Sequence, residues 1–385
     1  MPNNILNLLS EDAFNEKMDT QNALLAAIAS NNGGIVVKSW KDIQAIVRLG
    51  LASKVFHIGD QLVCNKGDKQ LVWDIIGFDH DVPADAQFKH SMTIQLHDLL
   101  LTAMQFDGTE ALFYCETELA AGTYHFTLLA GYDTAYGGGK SYQFTLTKAV
   151  PAGGVIMFPW SDHKQASTVL VSTYESRTAT TAIESVAVTE GTGGTALDTL
   201  GECNHTHRIR YGSNNWKQSA MRQFLNSKGA AGAFWTPQTN FDRPPTWNGS
   251  TAGFLSDLDE DFLEVVGEVT KRTVLNTVCD GGGYEDLTEK FFLISRSEAY
   301  AGNENGIEEG TPYEYYSLGS DLSAAGTGDD SNRIKYRGGS ATHWWLRSPF
   351  SGYGCYVRII NQSGNPNYGD DANKSFEVAP ACNII

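Results

Sequence analysis

Few side chains in the sequence stand in patterns that catalysis or metal binding would need. His205 and His207 are two residues apart, so on a strand both imidazoles would point to one face with Cys203 alongside, a geometry suited to a metal ion. No third ligand appears at a metal-site spacing, and surface or turn histidines greatly outnumber such sites, so no metal is assigned. His90 and His97, seven apart, read as core or surface residues. Asp257, Asp259, Glu260 and Asp261 carry oxygens that calcium would accept. Their segment lacks the glycine turn of an EF-hand, and its apolar spacing marks an exposed helix face. The six cysteines, at 64, 115, 203, 279, 355 and 382, show no C-x-x-C spacing and read as reduced, mostly buried thiols. With no Ser-His-Asp motif, phosphate loop or dinucleotide fingerprint, no catalytic residue and no cofactor is assigned.

The chemistry that the sequence does invite is recognition. The 28 residues from Pro349 to Phe376 hold four Gly, four Asn, three Tyr, three Ser and two Asp, the vocabulary of antibody loops. In such loops Tyr supplies rigid amphipathic area and the small residues supply adaptable hydrogen bonds. An inert solvated loop is the plain alternative. Against it stands the preceding Trp344-Trp345-Leu346-Arg347-Ser348-Pro349, whose two indoles and leucine mark a packed strand that anchors the segment.

The elements that must hold this segment are spread over 385 residues, enough for two or three folding units or one enlarged by insertion. Forty-five acidic against 28 basic side chains give a net charge of −17, the wrong sign for a nucleic-acid backbone or an anionic membrane surface. No apolar run reaches the length of a membrane helix, and the N-terminal stretch lacks the pattern of a secretory signal, which implies folding in a cytoplasm. Residues 1–55 read as a small helical segment for docking or oligomerisation. It comprises a helix over 10–30 capped by Ser10, a short strand at 35–37, and a helix from a Ser39…Asp42 capping box to Gly50. Residues 56–110 begin with a hairpin turning at Asn65-Lys66-Gly67-Asp68, and 91–105 then read as a helix. From 111 to 200 fifteen of ninety residues are Thr and only twelve are charged, and alternating stretches such as TYHFTLLAGY predict an inserted antiparallel β-sandwich. Residues 201–385 return to mixed composition, with helices near 216–226 and 260 and a buried strand at 291–295. The fold class expected is α+β.

Several phrases occur in one order: Gly59 and Trp73-Asp74-Ile75-Ile76, Tyr211-Gly212-Ser213-Asn214-Asn215-Trp216 with Ser219 and Arg222-Gln223-Phe224-Leu225-Asn226, Phe292-Leu293-Ile294-Ser295 with Glu298, then WWLRSP at 344–349 and Val378-Ala379-Pro380-Ala381. Together they resemble the C-type-lectin-like (formylglycine-generating-enzyme-like) domain of variable proteins of diversity-generating retroelements from gut bacteria and their phages. The resemblance covers roughly 56–110 and 201–385, with a variable region at about 345–385. It implies a scaffold whose C-terminal segment is rewritten at template adenines. An adenine-mutated AAC or AAT codon cannot yield Trp, Lys, Gln, Glu or Met, and within 349–376 only Gln362 and Lys374 fall outside the reachable set.

On that composition the ligand-binding residues are Phe350, Ser351, Tyr353, Tyr356, Arg358, Ile360, Asn365, Asn367, Tyr368, Asp370, Asp371 and Asn373, and all but Ser351 and Ile360 are expected on one exposed face. Trp344, Trp345, Leu346, Arg347 and Pro349 are expected as scaffold. The resemblance further implies a non-enzymatic phage tail or particle-surface protein that binds a host-surface protein or glycan as a homo-oligomer, a trimer by analogy. A bacterial surface adhesin of the same fold is the second reading. A formylglycine-generating oxidase is the third, since such enzymes need closely placed cysteines and Cys355 and Cys382 lie far apart.

Overall fold

Ser39 starts a helix for the local reason that its sequence suggests. Its hydroxyl accepts from Asp42 N at 3.2 Å while the Asp42 carboxylate accepts from Ser39 N at 2.9 Å, a complete capping box for the helix Trp40–Arg48. The computed structural model describes residues 37–100, 102–110, 113–127, 140–157, 168–175, 179–197, 208, 211–238, 242–318 and 328–385. The expected helix over 10–30, Ile35 and Val36 of the expected strand, and Cys203, His205 and His207 lie outside the described residues. The apolar face of Trp40–Arg48 is spent on its own chain: Trp40, Ile43 and Val47 join the main core, the Trp40 ring lies 4.6 Å from Phe262, and Gln44 donates to the Ile385 carbonyl at 2.6 Å. For Trp40–Arg48, then, the apolar face packs on its own chain.

The chain is mixed, with many short strands in several mostly antiparallel sheets and few helices, an α+β arrangement. The expected hairpin is present. Gln61–Lys66 pairs with Lys69–Phe78 in the register Lys66↔Lys69, and Gly67 takes the left-handed φ of 59° that the two-residue loop demands. Met92–Leu96 comes after Lys69–Phe78 in this sheet and pairs in turn with Ala381–Ile384, which also pairs with Val266–Gly267 and Phe291–Phe292. The predicted helix at 91–105 is therefore wrong. Met92–Leu96 is a strand buried on both faces between two neighbours, so every position is buried and its apolar residues show no two-residue alternation.

A second sheet bears directly on the candidate site. Trp344–Pro349, Tyr356–Ile360 and Tyr368–Asp371 form three antiparallel strands, with Trp344↔Ile360, Trp345↔Ile359 and Pro349↔Val357 in register. Between Trp345 and Pro349 the first strand carries two residues more than its partner, a bulge centred on Leu346, Arg347 and Ser348. All six residues of Trp344–Pro349 are buried.

The inserted region folds as two four-stranded sheets around one core of its own. Ala179–Ala187, Thr168–Glu175, Gly154–Met157 and Phe113–Tyr114 make one sheet, and Thr189–Glu190, Ser141–Leu146, Gly122–Thr127 and Thr195–Ala196 make the other. Phe113, Ile156, Val169 and Val171 from the first meet Phe126, Tyr142, Phe144 and Leu146 from the second, which is the expected sandwich. Within the second sheet Thr195–Ala196 joins Gly122–Thr127 as a parallel pair.

The Trp345 ring is fully buried, its Nε1 donates to Met104 O at 2.8 Å, and it stands edge-on to Phe106 and Phe376. Trp345→Ala should lower the unfolding free energy by about 3–5 kcal/mol. Urea denaturation checks this, and an unchanged midpoint would show that Trp345 is no scaffold residue.

Candidate functional site

Beneath the candidate segment lies a buried ionic lattice. The bulge carries Arg347 to Glu298, with Nη1 donating to Oε2 at 2.5 Å and Nη2 to Oε1 at 3.1 Å, both side chains essentially without solvent exposure. The remaining donors of Arg347 go to the carbonyls of Leu293, Arg272 and Glu309. Lys271 Nζ lies 2.6 Å from both Glu298 and Asp81, and Asp81 also accepts from the Tyr313 hydroxyl and from Asn383 Nδ2. Burial alone would raise the Glu298 carboxyl, but Arg347 and then Lys271 outweigh it and hold the pKa below the usual value. Glu309 is the exception. It accepts from Val274 N and from the Ser348 hydroxyl, yet burial pushes it up to about 7.

On this base the turn 350–355 is built as a rigid platform. Asn214 Nδ2 donates to the carbonyls of Tyr353 and Tyr356 at 2.8 and 2.9 Å, and Asn214 Oδ1 accepts from Asn276. Thr277 donates twice to the Ser351 carbonyl, and Phe350 N closes the loop on Tyr356 O at 2.7 Å. The rings of Tyr353 and Tyr356 stack 4.7 Å apart at 6° from parallel, and Phe350 stands edge-on to both. All three are half-buried, so they present ring surface from a fixed frame. The Phe350 ring covers the Arg358 guanidinium at 3.5 Å. Gly369 makes room for it, since a Cβ there would lie 3.0 Å from Phe350 Cδ2.

The ten ligand-binding residues expected on one exposed face do not share one, and the other two, Ser351 and Ile360, also differ from each other. Phe350, Ser351, Tyr353, Tyr356, Asn365, Asp370 and Asn373 are half-buried, and Asn367 and Tyr368 are exposed. Arg358, Ile360 and Asp371 are buried, which corrects the expectation for these three. Arg358 is held by Glu304, Asp371 accepts from Cys355 Sγ, and Ile360 belongs to the main core. The cause is register. Tyr356↔Asp371 and Arg358↔Gly369 place one set on the platform side, whereas Val357↔Asp370 and Ile359↔Tyr368 place Asp370 and Tyr368 on the opposite side. Asn365 and Asn367 lie in a turn organised by Asn361, with Asn365 Nδ2 reaching Asp329 at 3.0 Å. Asn373 is tied by its backbone N to Tyr211 O and by its O to Gln105. The expected scaffold residues Trp344, Trp345, Leu346, Arg347 and Pro349 are all buried.

Sequence reasoning missed Glu304, Arg296, Asn276 and Glu309. The signal for Glu304 was Gly302-Asn303-Glu304-Asn305-Gly306, a stretch in which Gly302, Asn305 and Gly306 all take positive φ. His97, read as a core or surface residue, pairs with Asp74 at 2.8 Å. Asp259, weighed for calcium, instead accepts from Asn65 N and Nδ2, and no cluster of His, Cys, Asp or Glu that would hold a metal occurs among the described residues. No helix among them is long and apolar enough to cross a membrane.

Residues 180–385 match the family described as Domain of unknown function (DUF6273), and the chain belongs to that family. No curated protein and no solved structure matches the chain.

Glu309 yields a pH signature. Its folded pKa of about 7 lies above the ordinary 4.5, so the folded state binds the extra proton and loses stability as pH rises through that window. Glu309→Gln should remove the loss, leaving the variant about 3 kcal/mol more stable than the parent at pH 8 and equal to it near pH 4. Urea titrations at the two pH values test this. Arg347→Met, by contrast, leaves Glu298 short of a partner and should cost about 3–5 kcal/mol at pH 7.

Proposed function

We propose that the chain is a non-enzymatic ligand-binding protein whose C-type-lectin-like scaffold presents a diversified surface around residues 350–373. The observation that carries this reading is the Phe350, Tyr353 and Tyr356 platform. Three aromatic rings are left half-exposed on a turn and at the start of the next strand, held by buried Asn214 and Asn276 and by exposed Thr277, directly after a strand buried at every position. Rigid tyrosines with small polar neighbours give contact area at little entropic cost, which is the economy of a paratope. The ordered phrases from Trp73 to Val378-Ala379-Pro380-Ala381 support the lectin-like scaffold and, with it, diversification by a retroelement. In this reading the protein is carried on a phage tail or particle surface and recognises a host-surface protein or glycan in several copies, because unmatured single sites gain from avidity.

The neighbouring DNA tests the diversification. It should hold a reverse transcriptase and a near-copy of the codons for residues 345–385. Adenine-directed differences should concentrate at 350, 351, 353, 356, 365, 367, 368, 370 and 373, and spare 358, 360 and 371, whose side chains are buried. Absence of both elements would overturn diversification, and differences concentrated at the buried codons would overturn the assigned surface.

A further inference from the structure

Residues 309–313 belong to no helix or strand, yet both ends of this strap are buried, at Glu309 and Tyr313, with exposed Gly310 and Thr311 between them. Gly310 passes directly over the ionic lattice: a Cβ there would lie 2.9 Å from Glu298 Oε1. Thr311 is tied down by His80. His80 Nε2 lies 2.8 Å from the Thr311 carbonyl oxygen, its Nδ1 lies 3.1 Å from Asp81 Oδ1, and the ring stacks on Tyr313 with centroids 3.9 Å apart. Gly77 leaves room for the stack, since a Cβ there would lie 3.0 Å from Tyr313 Cδ1 and 3.2 Å from His80 Cβ. Burial would raise the Asp81 carboxyl, but Lys271 and then His80 outweigh it and hold it well below the usual carboxylate range, so Asp81 only accepts. A backbone carbonyl likewise only accepts. Both contacts of His80 are therefore hydrogen bonds only when the ring carries two N–H groups, as an imidazolium. With one proton, the bare nitrogen turns its lone pair toward an oxygen. The Thr311 hydroxyl, 3.1 Å from Nε2, is placed to donate to a deprotonated ring in the carbonyl's stead.

We propose that residues 309–313 form a proton-latched strap, closed over the ionic lattice while His80 is an imidazolium and loosened when the ring loses a proton. Histidine is the side chain that changes charge in the physiological range, and a closed strap that binds a proton gains population as pH falls. From the buried side Asp81 and Glu298 favour the imidazolium, while Lys271 and Arg347 oppose it. At the other end of the strap Glu309 holds Val274 N and the Ser348 hydroxyl and faces Arg347, Arg296 and Glu304. Burial pushes that carboxyl up to about 7, so the same rise in pH adds a buried charge there. Ser348 belongs to the bulge that leads into the 350–355 turn, so the latch sets how firmly that turn is held. This use of the latch rests on the binding surface proposed above, whereas the latch itself is testable without a ligand.

Imidazole nitrogen NMR and amide hydrogen exchange on the full chain, from about pH 5 to about pH 8, test the latch. Both His80 ring nitrogens should carry protons at the acid end. Exchange at residues 310–313, corrected for its intrinsic pH dependence and referred to Met92–Leu96, should be about fivefold faster or more at the alkaline end, with the midpoint of the His80 titration. His80→Gln should flatten this change, because a carboxamide neither gains nor loses a proton. Thr311→Val, which deletes the partner of the deprotonated ring, should enlarge it. A strap whose exchange stays flat while the ring titrates would overturn the proposal, and so would a ring whose proton count does not change over the range. Glu309→Gln should leave the change at 310–313 in place; if that variant alone abolishes it, the carboxyl governs the strap and the imidazolium latch fails. If the latch holds while Tyr353→Ala alters no ligand captured from a glycan or protein array, the binding surface falls and the latch stands.

Discussion

The pairing of Arg347 with Glu298 is the constraint on which the rest of the molecule depends. A guanidinium without solvent must place all its donors, and Arg347 does so on a carboxylate and three backbone carbonyls drawn from separate stretches of chain. To reach them the Trp344–Pro349 strand has to bulge, and the bulge in turn orients the 350–355 turn. From Glu298 the alternation of charge continues through Lys271 to Asp81 and ends on Asn383, inside the main sheet. Such lattices are weak sources of net stability, since desolvation consumes much of the attraction. Their value here is registry, because any slip of the strand would leave charges buried and unpaired.

Registry also explains why a segment of recognition-loop composition is so unevenly exposed. Val357 to Ile360 are buried at every position, so both faces of this strand meet protein, Arg358 and Ile360 being enclosed on one face as Val357 and Ile359 are on the other. In this segment ring surface is left to solvent where the backbone leaves the sheet, at Phe350 and Tyr353, or where a strand begins, at Tyr356 and Tyr368. Composition describes which residues a site uses, whereas the sheet decides which of them are seen.

The features legible in the sequence are those that local physics controls. The Ser39 cap, the Gly67 hairpin and the sandwich each depend on residues close in sequence, and each is present. The scaffold role of Trp344 and Trp345 was legible because two adjacent indoles have few places to go but inside. Met92–Leu96 misled because a strand covered on both sides has no two-residue alternation, leaving an apolar run that fits a helix equally well. Glu304 stayed hidden because its partner Arg358 is 54 residues away, and sequence spacing carries no information about a contact of that range, while Arg296 reaches the same carboxylate from eight residues away outside any regular element. Asn214 stands in the recognisable stretch Tyr211-Gly212-Ser213-Asn214-Asn215-Trp216, but that it holds two carbonyls of a turn 139 and 142 residues away is a property of the fold alone.

The middle of the main sheet is assembled from opposite ends of the described chain: Met92–Leu96 finds its second neighbour only in Ala381–Ile384. A ribosome adding about 5–20 residues per second needs on the order of half a minute to pass from one to the other. Throughout that interval the earlier strand offers an open hydrogen-bonding edge and apolar side chains to whatever lies nearby. The sandwich, which has its own core, is synthesised within the gap and is able to fold while the rest waits. Nascent chains of this protein therefore pass through a long stage with one finished module and one unfinished sheet, a stage at which holdase chaperones and low temperature would govern yield more than final stability does.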